Sequence, residues 1–135
     1  MLNIILFSNS LFQASATRTV EDLRELRREC MESLPENLRL ELRELKYSKD
    51  EKIMKYVHCV AEKMDIFGED GFQPDKMSEI YKNKISKEDL QAIADRCLKL
   101  YKRKDYSKSE ELAYYQWTCM LEDDKFKQLF QKNTN

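Results

Sequence analysis

The residues of this 135-residue chain with the most specific chemistry are four cysteines, Cys30, Cys59, Cys97 and Cys119, and a single histidine, His58. A structural zinc site needs four closely spaced thiolates or imidazoles, and neither a C-x-x-C pair nor a second histidine is available. His58 beside Cys59 suggests a thiol–imidazole nucleophile, but adjacent residues on a helix point about 100° apart and do not face each other. No G-x-S-x-G turn, phosphate-binding loop or metal-spaced acid cluster occurs either. The sequence therefore assigns no catalytic residue, no metal and no cofactor. What remains is disulfide formation. An even count of cysteines behind an apolar leader implies two bridges, and four cysteines allow three pairings.

The leader is Met1 to Ala16, which carries no charge, has an apolar run from Leu2 to Phe7, and closes on Ala14-Ser15-Ala16. This reads as a signal peptide with an A-x-A-like cleavage site, although the usual positive n-region is missing. A short buried N-terminal segment is the alternative. Asn3, Ser8, Asn9, Ser10 and Gln13 break the run well short of the ~20 residues a membrane-spanning helix needs. Cleavage after Ala16 leaves one domain, residues 17–135, in an oxidising extracellular compartment.

The elements that must place the cysteines are helices. Only two glycines and two prolines occur in the chain, too few for a turn-rich β fold. Thr19 with Asp22, Ser48 with Glu51, Ser86 with Asp89, and Ser107 with Glu110 each set a hydroxyl three residues before a carboxylate, the arrangement of a helix N-terminal capping box. Pro35 and Pro74 suit the first turns of two more. Helices are predicted near 19–33, 35–46, 49–66, 74–83, 87–103 and 107–121, with a short one near 123–132. Apolar steps of three and four agree: Ile53, Val57, Val60, Ala61, Met64 and Phe67; Leu90, Ile93, Cys97, Leu100 and Tyr101; Leu112, Tyr115 and Cys119, with Trp117 to one side. Gly68 to Gly71 is expected to end the third helix. Charged residues make up 36% of the chain, but opposite signs are interspersed and the net charge is −1. No basic stripe exists to follow a phosphate backbone, which argues against nucleic acid as a partner.

Between successive cysteines lie 28, 37 and 21 residues. This spacing resembles the six-cysteine pattern of the insect odorant-binding proteins (the PBP/GOBP family) with the second and fifth cysteines absent. Those two positions are Lys55 and Glu110 here. The segment Tyr56 to Phe67, YVHCVAEKMDIF, followed by Gly71-Phe72, also resembles the third helix and following loop of that family. The resemblance runs from residue 19 to about 130 and matches the four-cysteine branch.

The resemblance implies an all-α fold of six or seven short helices around an apolar cavity, with Cys30 bridged to Cys59 and Cys97 to Cys119. It implies a non-enzymatic extracellular carrier of small hydrophobic ligands such as odorants, pheromones or fatty acids, in sensillar lymph, haemolymph or saliva, with no stable membrane insertion. Candidate cavity residues are Met54, Val57, Ala61, Met64, Phe67, Phe72, Met77, Ile80, Tyr81, Ile93, Tyr101, Tyr115 and Trp117. Methionines and aromatics make a soft lining, although the same spacing also describes plain core. Tyr56, Tyr81, Tyr101, Tyr114 and Tyr115 offer hydroxyls to a ligand oxygen. A salt bridge between Lys55 and Glu110 is expected where the family's third disulfide is missing, contributing ~0–1 kcal/mol. Two other readings stay open: a salivary scavenger of host amines or eicosanoids, for which an amine requires inward carboxylates, and a helical interaction module with no cavity. Whether the chain forms a homodimer, and whether the tail packs outside through Phe126 and Phe130 or plugs the cavity mouth, also stay open.

Overall fold

The computed structural model of the protein describes residues 18–131; the expected signal peptide at 1–16 lies outside them. Seven α-helices follow in order: α1 (Val20–Met31), α2 (Glu36–Arg43), α3 (Glu51–Lys63), α4 (Pro74–Ile80), α5 (Lys87–Leu100), α6 (Ser109–Leu121) and α7 (Asp124–Gln128). A two-residue strand pair, β1 (Phe67–Gly68) and β2 (Gly71–Phe72), joins α3 to α4, and a 3-10 turn (Arg103–Asp105) joins α5 to α6. Each predicted helix is present, and most are shorter than the apolar periodicity suggested.

Local chemistry explains the boundaries. At the start of α1 the Thr19 hydroxyl accepts from the Asp22 amide at 3.2 Å, and the Asp22 carboxylate accepts from the Thr19 amide at 2.8 Å, a complete capping box. Ser86 accepts from the Asp89 amide at 3.1 Å, but the Asp89 carboxylate reaches across to Lys125 Nζ at 3.1 Å. That contact holds the Asp89 carboxyl below its ordinary range. The other two expected boxes are corrected. Asp50, not Ser48, caps α3, because its carboxylate accepts directly from the Lys52 amide at 2.7 Å. Lys108 precedes α6 with no side-chain cap, so Ser107 has no such role. Pro35 stands at the N-cap of α2, one residue ahead of its first turn, while Pro74 opens α4 as expected.

Two helices close through a left-handed residue that is not glycine. After α3 the Asp65 amide donates to Glu62 at 3.0 Å and the Ile66 amide to Ala61 at 3.1 Å, with Asp65 at φ 60°. After α2 the Leu45 amide donates to Leu42 at 3.0 Å and the Lys46 amide to Glu41 at 2.9 Å, with Leu45 at φ 58°. Both are Schellman closures, which satisfy the last carbonyls of a helix through one left-handed residue. So α3 stops before Asp65, not at Gly68–Gly71; those glycines instead pair across the strand ends and flank the Glu69-Asp70 turn.

The packing centre is α6, which buries Leu112, Ala113, Tyr114, Gln116, Cys119 and Met120 around most of its circumference. A helix buried on most sides is a core helix, which is why a single-face reading of it left Trp117 to one side of the apolar row. α3 lies along α6, while α5, β2 and α7 cover its other sides and α1 packs on α3. Leu100, in the periodic row of α5, is 61% exposed, because it is the helix's last residue. The disulfides are those implied by the family resemblance: Cys30 on α1 to Cys59 on α3, and Cys97 on α5 to Cys119 on α6.

The expected Lys55–Glu110 salt bridge is absent from the ion pairs of the described residues. Both side chains border an open cleft with Lys49, Glu51, Lys108 and Glu111, where solvation competes with pairing. A different device ties loop to helix. The fully buried Gln116 accepts from the Phe72 amide at 2.9 Å and donates to the carbonyls of Tyr101 at 2.9 Å and Asp70 at 3.4 Å. One side chain thus pins the strand pair and the end of α5 to α6.

Candidate ligand-binding cavity

Between α1, α3, α6 and the strand pair lies a partly open, mainly apolar cavity. Leu23 and Arg27 of α1 form one wall, and Tyr56, Val57, Val60 and Ala61 of α3 the facing one. Ile66 and Phe72 close the strand-pair end, Trp117 comes from α6, and Tyr81 from the residue just past α4. Leu45 and Tyr47, from the α2–α3 link, and Phe130, beyond α7, complete the lining. As it stands the cavity gives about 40 Å³ to the centres of water-sized molecules, room for roughly three waters. A ligand of drug-like size requires several hundred cubic ångströms, so its entry displaces wall residues.

Five of the thirteen residues named from sequence meet here: Val57, Ala61, Phe72, Tyr81 and Trp117. The other eight stand elsewhere. Met64, Met77, Ile80 and Ile93 are buried in the core. Phe67 is half-buried between His58 and Phe72, edge-on to both. Met54 borders the charged cleft, and Tyr115 stacks on Tyr101 at 5.7 Å in an outer aromatic group with Tyr106. His58 is not in the lining; its Nε2 lies 3.4 Å from Glu62. The tail reaches the site from within: Phe126 is fully buried against Trp117, and Phe130 sits 5.1 Å from Trp117 and 5.6 Å from Tyr81.

Sequence reasoning missed Leu23, Arg27, Leu45, Tyr47 and Ile66, and named Phe130 only in a tail that packs outside or plugs the cavity mouth. Leu45 enters through the left-handed closure of α2, a conformation costing a non-glycine residue on the order of 1 kcal/mol. Tyr47 is fixed from outside, where its carbonyl accepts the Tyr114 hydroxyl at 2.6 Å. Arg27 did leave a signal, since it lies four residues after Leu23 and three before Cys30, on their side of α1. In a chain so rich in charge, that signal reads as surface.

The polar groups of the cavity have one character. Arg27 Nε donates to the Tyr56 hydroxyl at 3.2 Å. No acidic side chain pairs with Arg27 or lines the cavity among the described residues. Burial works against the charge of Arg27, and the oxygens of Tyr56, Tyr47 and Tyr81 more than offset it. Burial likewise raises the tyrosines: Tyr47 from 10.0 to about 12, and Tyr56 and Tyr81 in the same direction. The Tyr47 hydroxyl lies deep even though part of the residue reaches the surface. It is close enough to the Trp117 indole N–H to feel it, yet not in hydrogen-bonding geometry, so Trp117 Nε1 is buried without an acceptor.

A raised folded-state value means that these hydroxyls are protonated in both folded and unfolded chains below pH 10. The folded state then loses stability as pH rises from 10 through about 12. In an alkaline titration the cavity tyrosines are expected to ionise only as the helical circular dichroism disappears. Ionisation of all seven tyrosines near their ordinary value in a still-helical chain would contradict the buried site.

Among the described residues, no helix is long and apolar enough to cross a membrane. No curated protein matches the chain. The sequence model of the PBP/GOBP family matches residues 13–123. Its members are binding proteins rather than enzymes, in keeping with a disulfide-tied helix pair facing across a small apolar cavity. The chain belongs to the PBP/GOBP family.

Proposed function

We propose that this protein is a secreted carrier that holds a small hydrophobic ligand in the cavity between α1 and α3. The observation that carries the reading is the cavity itself. Its lining is drawn from seven separate stretches of chain, is mainly apolar, and is flanked by a disulfide joining its two facing helices. In a well-packed domain such space has a cost, because wall atoms lose dispersion contacts. Leu45 and Phe130 border it from a helix closure and from beyond the last helix, the kinds of segment that yield most readily. Entry of a ligand therefore displaces these two before it moves α1, α3 or α6.

The amine-scavenger reading is disfavoured. An ammonium group needs an inward carboxylate, and here the single charged lining residue is Arg27, which repels a cation. A module without a cavity is disfavoured by the space itself. The experiment is uptake of a fluorescent naphthylamine probe, followed by its displacement with a panel of aliphatic alcohols, esters and acids. Trp117, the sole tryptophan, gives a second readout, because a ligand in the cavity touches its ring. Probe uptake with an altered Trp117 emission is expected. A chain that takes up no probe and whose tryptophan emission ignores every ligand is not a carrier.

A further inference from the structure

We infer that the cavity selects amphiphiles with a carboxylate head, bound by Arg27 together with the hydroxyls of Tyr47, Tyr56 and Tyr81. This rests on the carrier reading above and names the ligand class that the same site takes. The argument is a count of donors and acceptors. Arg27 has five N–H groups and places one, Nε, on the Tyr56 oxygen. That leaves the Tyr56 proton free to donate. Among the described residues, no hydrogen bond of good geometry involves the Tyr47 or Tyr81 hydroxyl, and Trp117 Nε1 is buried without an acceptor. The cavity thus presents a guanidinium and four further donors, with no carboxylate to receive them.

Donors without acceptors in a mainly apolar lining are costly, and the half-buried Arg27 has tyrosine oxygens but no counter-charge beside it. The group that relieves the most of them brings a negative charge and several lone pairs, and no protons of its own. A carboxylate does this: its two oxygens accept at about four sites and match the guanidinium fork. An alcohol brings one proton to a place already rich in protons, an ester lacks the charge, and an ammonium has only donors. A carboxylate head needs little more than the space present, and its tail would run between the apolar side chains of α1 and α3.

The test uses the full oxidised chain and the naphthylamine probe at mildly alkaline pH, with decanoate, methyl decanoate and decanol as competitors. Decanoate is expected to displace the probe at ten-fold or more lower concentration than either neutral analogue, the range of a charge-assisted hydrogen bond. In Arg27→Gln the ratio of decanoate to methyl decanoate affinity is expected to collapse towards one, whatever the change does to both ligands in common. Arg27→Lys, which keeps the charge but loses the fork, is expected to retain part of the preference and guards against a folding defect in the glutamine variant. Equal displacement by all three ligands overturns the carboxylate assignment while leaving the carrier reading intact. A preference that survives undiminished in both variants overturns the role of Arg27. Failure of the probe to bind overturns the carrier reading itself.

Discussion

Gly71→Ala is expected to lower the unfolding free energy by about 3 kcal/mol, among the larger single-residue effects in the chain. Two costs combine. Gly71 has φ +115°, a conformation that costs a residue with a Cβ on the order of 1–3 kcal/mol. An added Cβ would also stand inside contact distance of the Gln116 side chain. Gln116 is fully enclosed and cannot retreat without releasing the Phe72 amide and the Tyr101 and Asp70 carbonyls. A buried group left unpaired costs about 1–3 kcal/mol. Gly68→Ala is the internal control. Its φ is not in the left-handed region, and its Cβ would meet only the end of the flexible Gln73 side chain, at 3.0 Å. Urea denaturation followed by circular dichroism compares the two, and Gln116→Leu isolates the hydrogen-bond share. Equal costs for the two alanines would mean that Gln116 does not hold the strand pair as described.

Gln116 also marks where the sequence stopped being legible. The helices could be read because amphipathic periodicity, sparse glycine and terminal hydroxyls act locally, within one turn. The cysteines alone left three pairings open, and the two bridges could be anticipated only through the family that their spacing resembles. A buried glutamine is different: its partners lie 44 and 15 residues away, and in sequence it looks like any polar residue on a helix. The caps show the same limit at short range. Ser48 and Asp50 are both good capping residues, and only the backbone path decides which reaches the α3 amides. Trp117 was named for the cavity yet placed off the apolar row of α6, because one apolar face was assumed for a helix that buries most of its circumference. Arg27 was passed over because a charge is read as surface unless its neighbours are known. The candidate site was therefore half visible: its apolar walls followed periodicity, while its polar donors and the Leu45 closure depend on tertiary packing.

The two disulfides are expected to contribute similarly to stability and differently to binding. Their sequence separations are 29 and 22, and the chain-entropy relation gives about 3.5 kcal/mol for each. Cys30→Ala with Cys59→Ala, and Cys97→Ala with Cys119→Ala, should therefore shift the urea midpoint by comparable amounts. Their positions differ. Cys30–Cys59 clamps α1, which carries Leu23 and Arg27, to α3, which carries Tyr56, Val57, Val60 and Ala61; these are the facing walls of the cavity. Cys97–Cys119 clamps α6 to α5, and no α5 residue lines the cavity. Freeing α1 lets one wall drift and adds ordering entropy to every binding event. The first double variant is thus expected to lose several-fold in probe affinity when assayed well below its unfolding midpoint, and the second to stay within about two-fold of the parent. The contrast is independent of stability, because both variants are compared while folded and at equal distance from their own midpoints. Equal affinity losses would place the ligand away from the α1–α3 cavity, whereas a loss confined to the Cys30–Cys59 variant ties binding to the wall that carries Arg27.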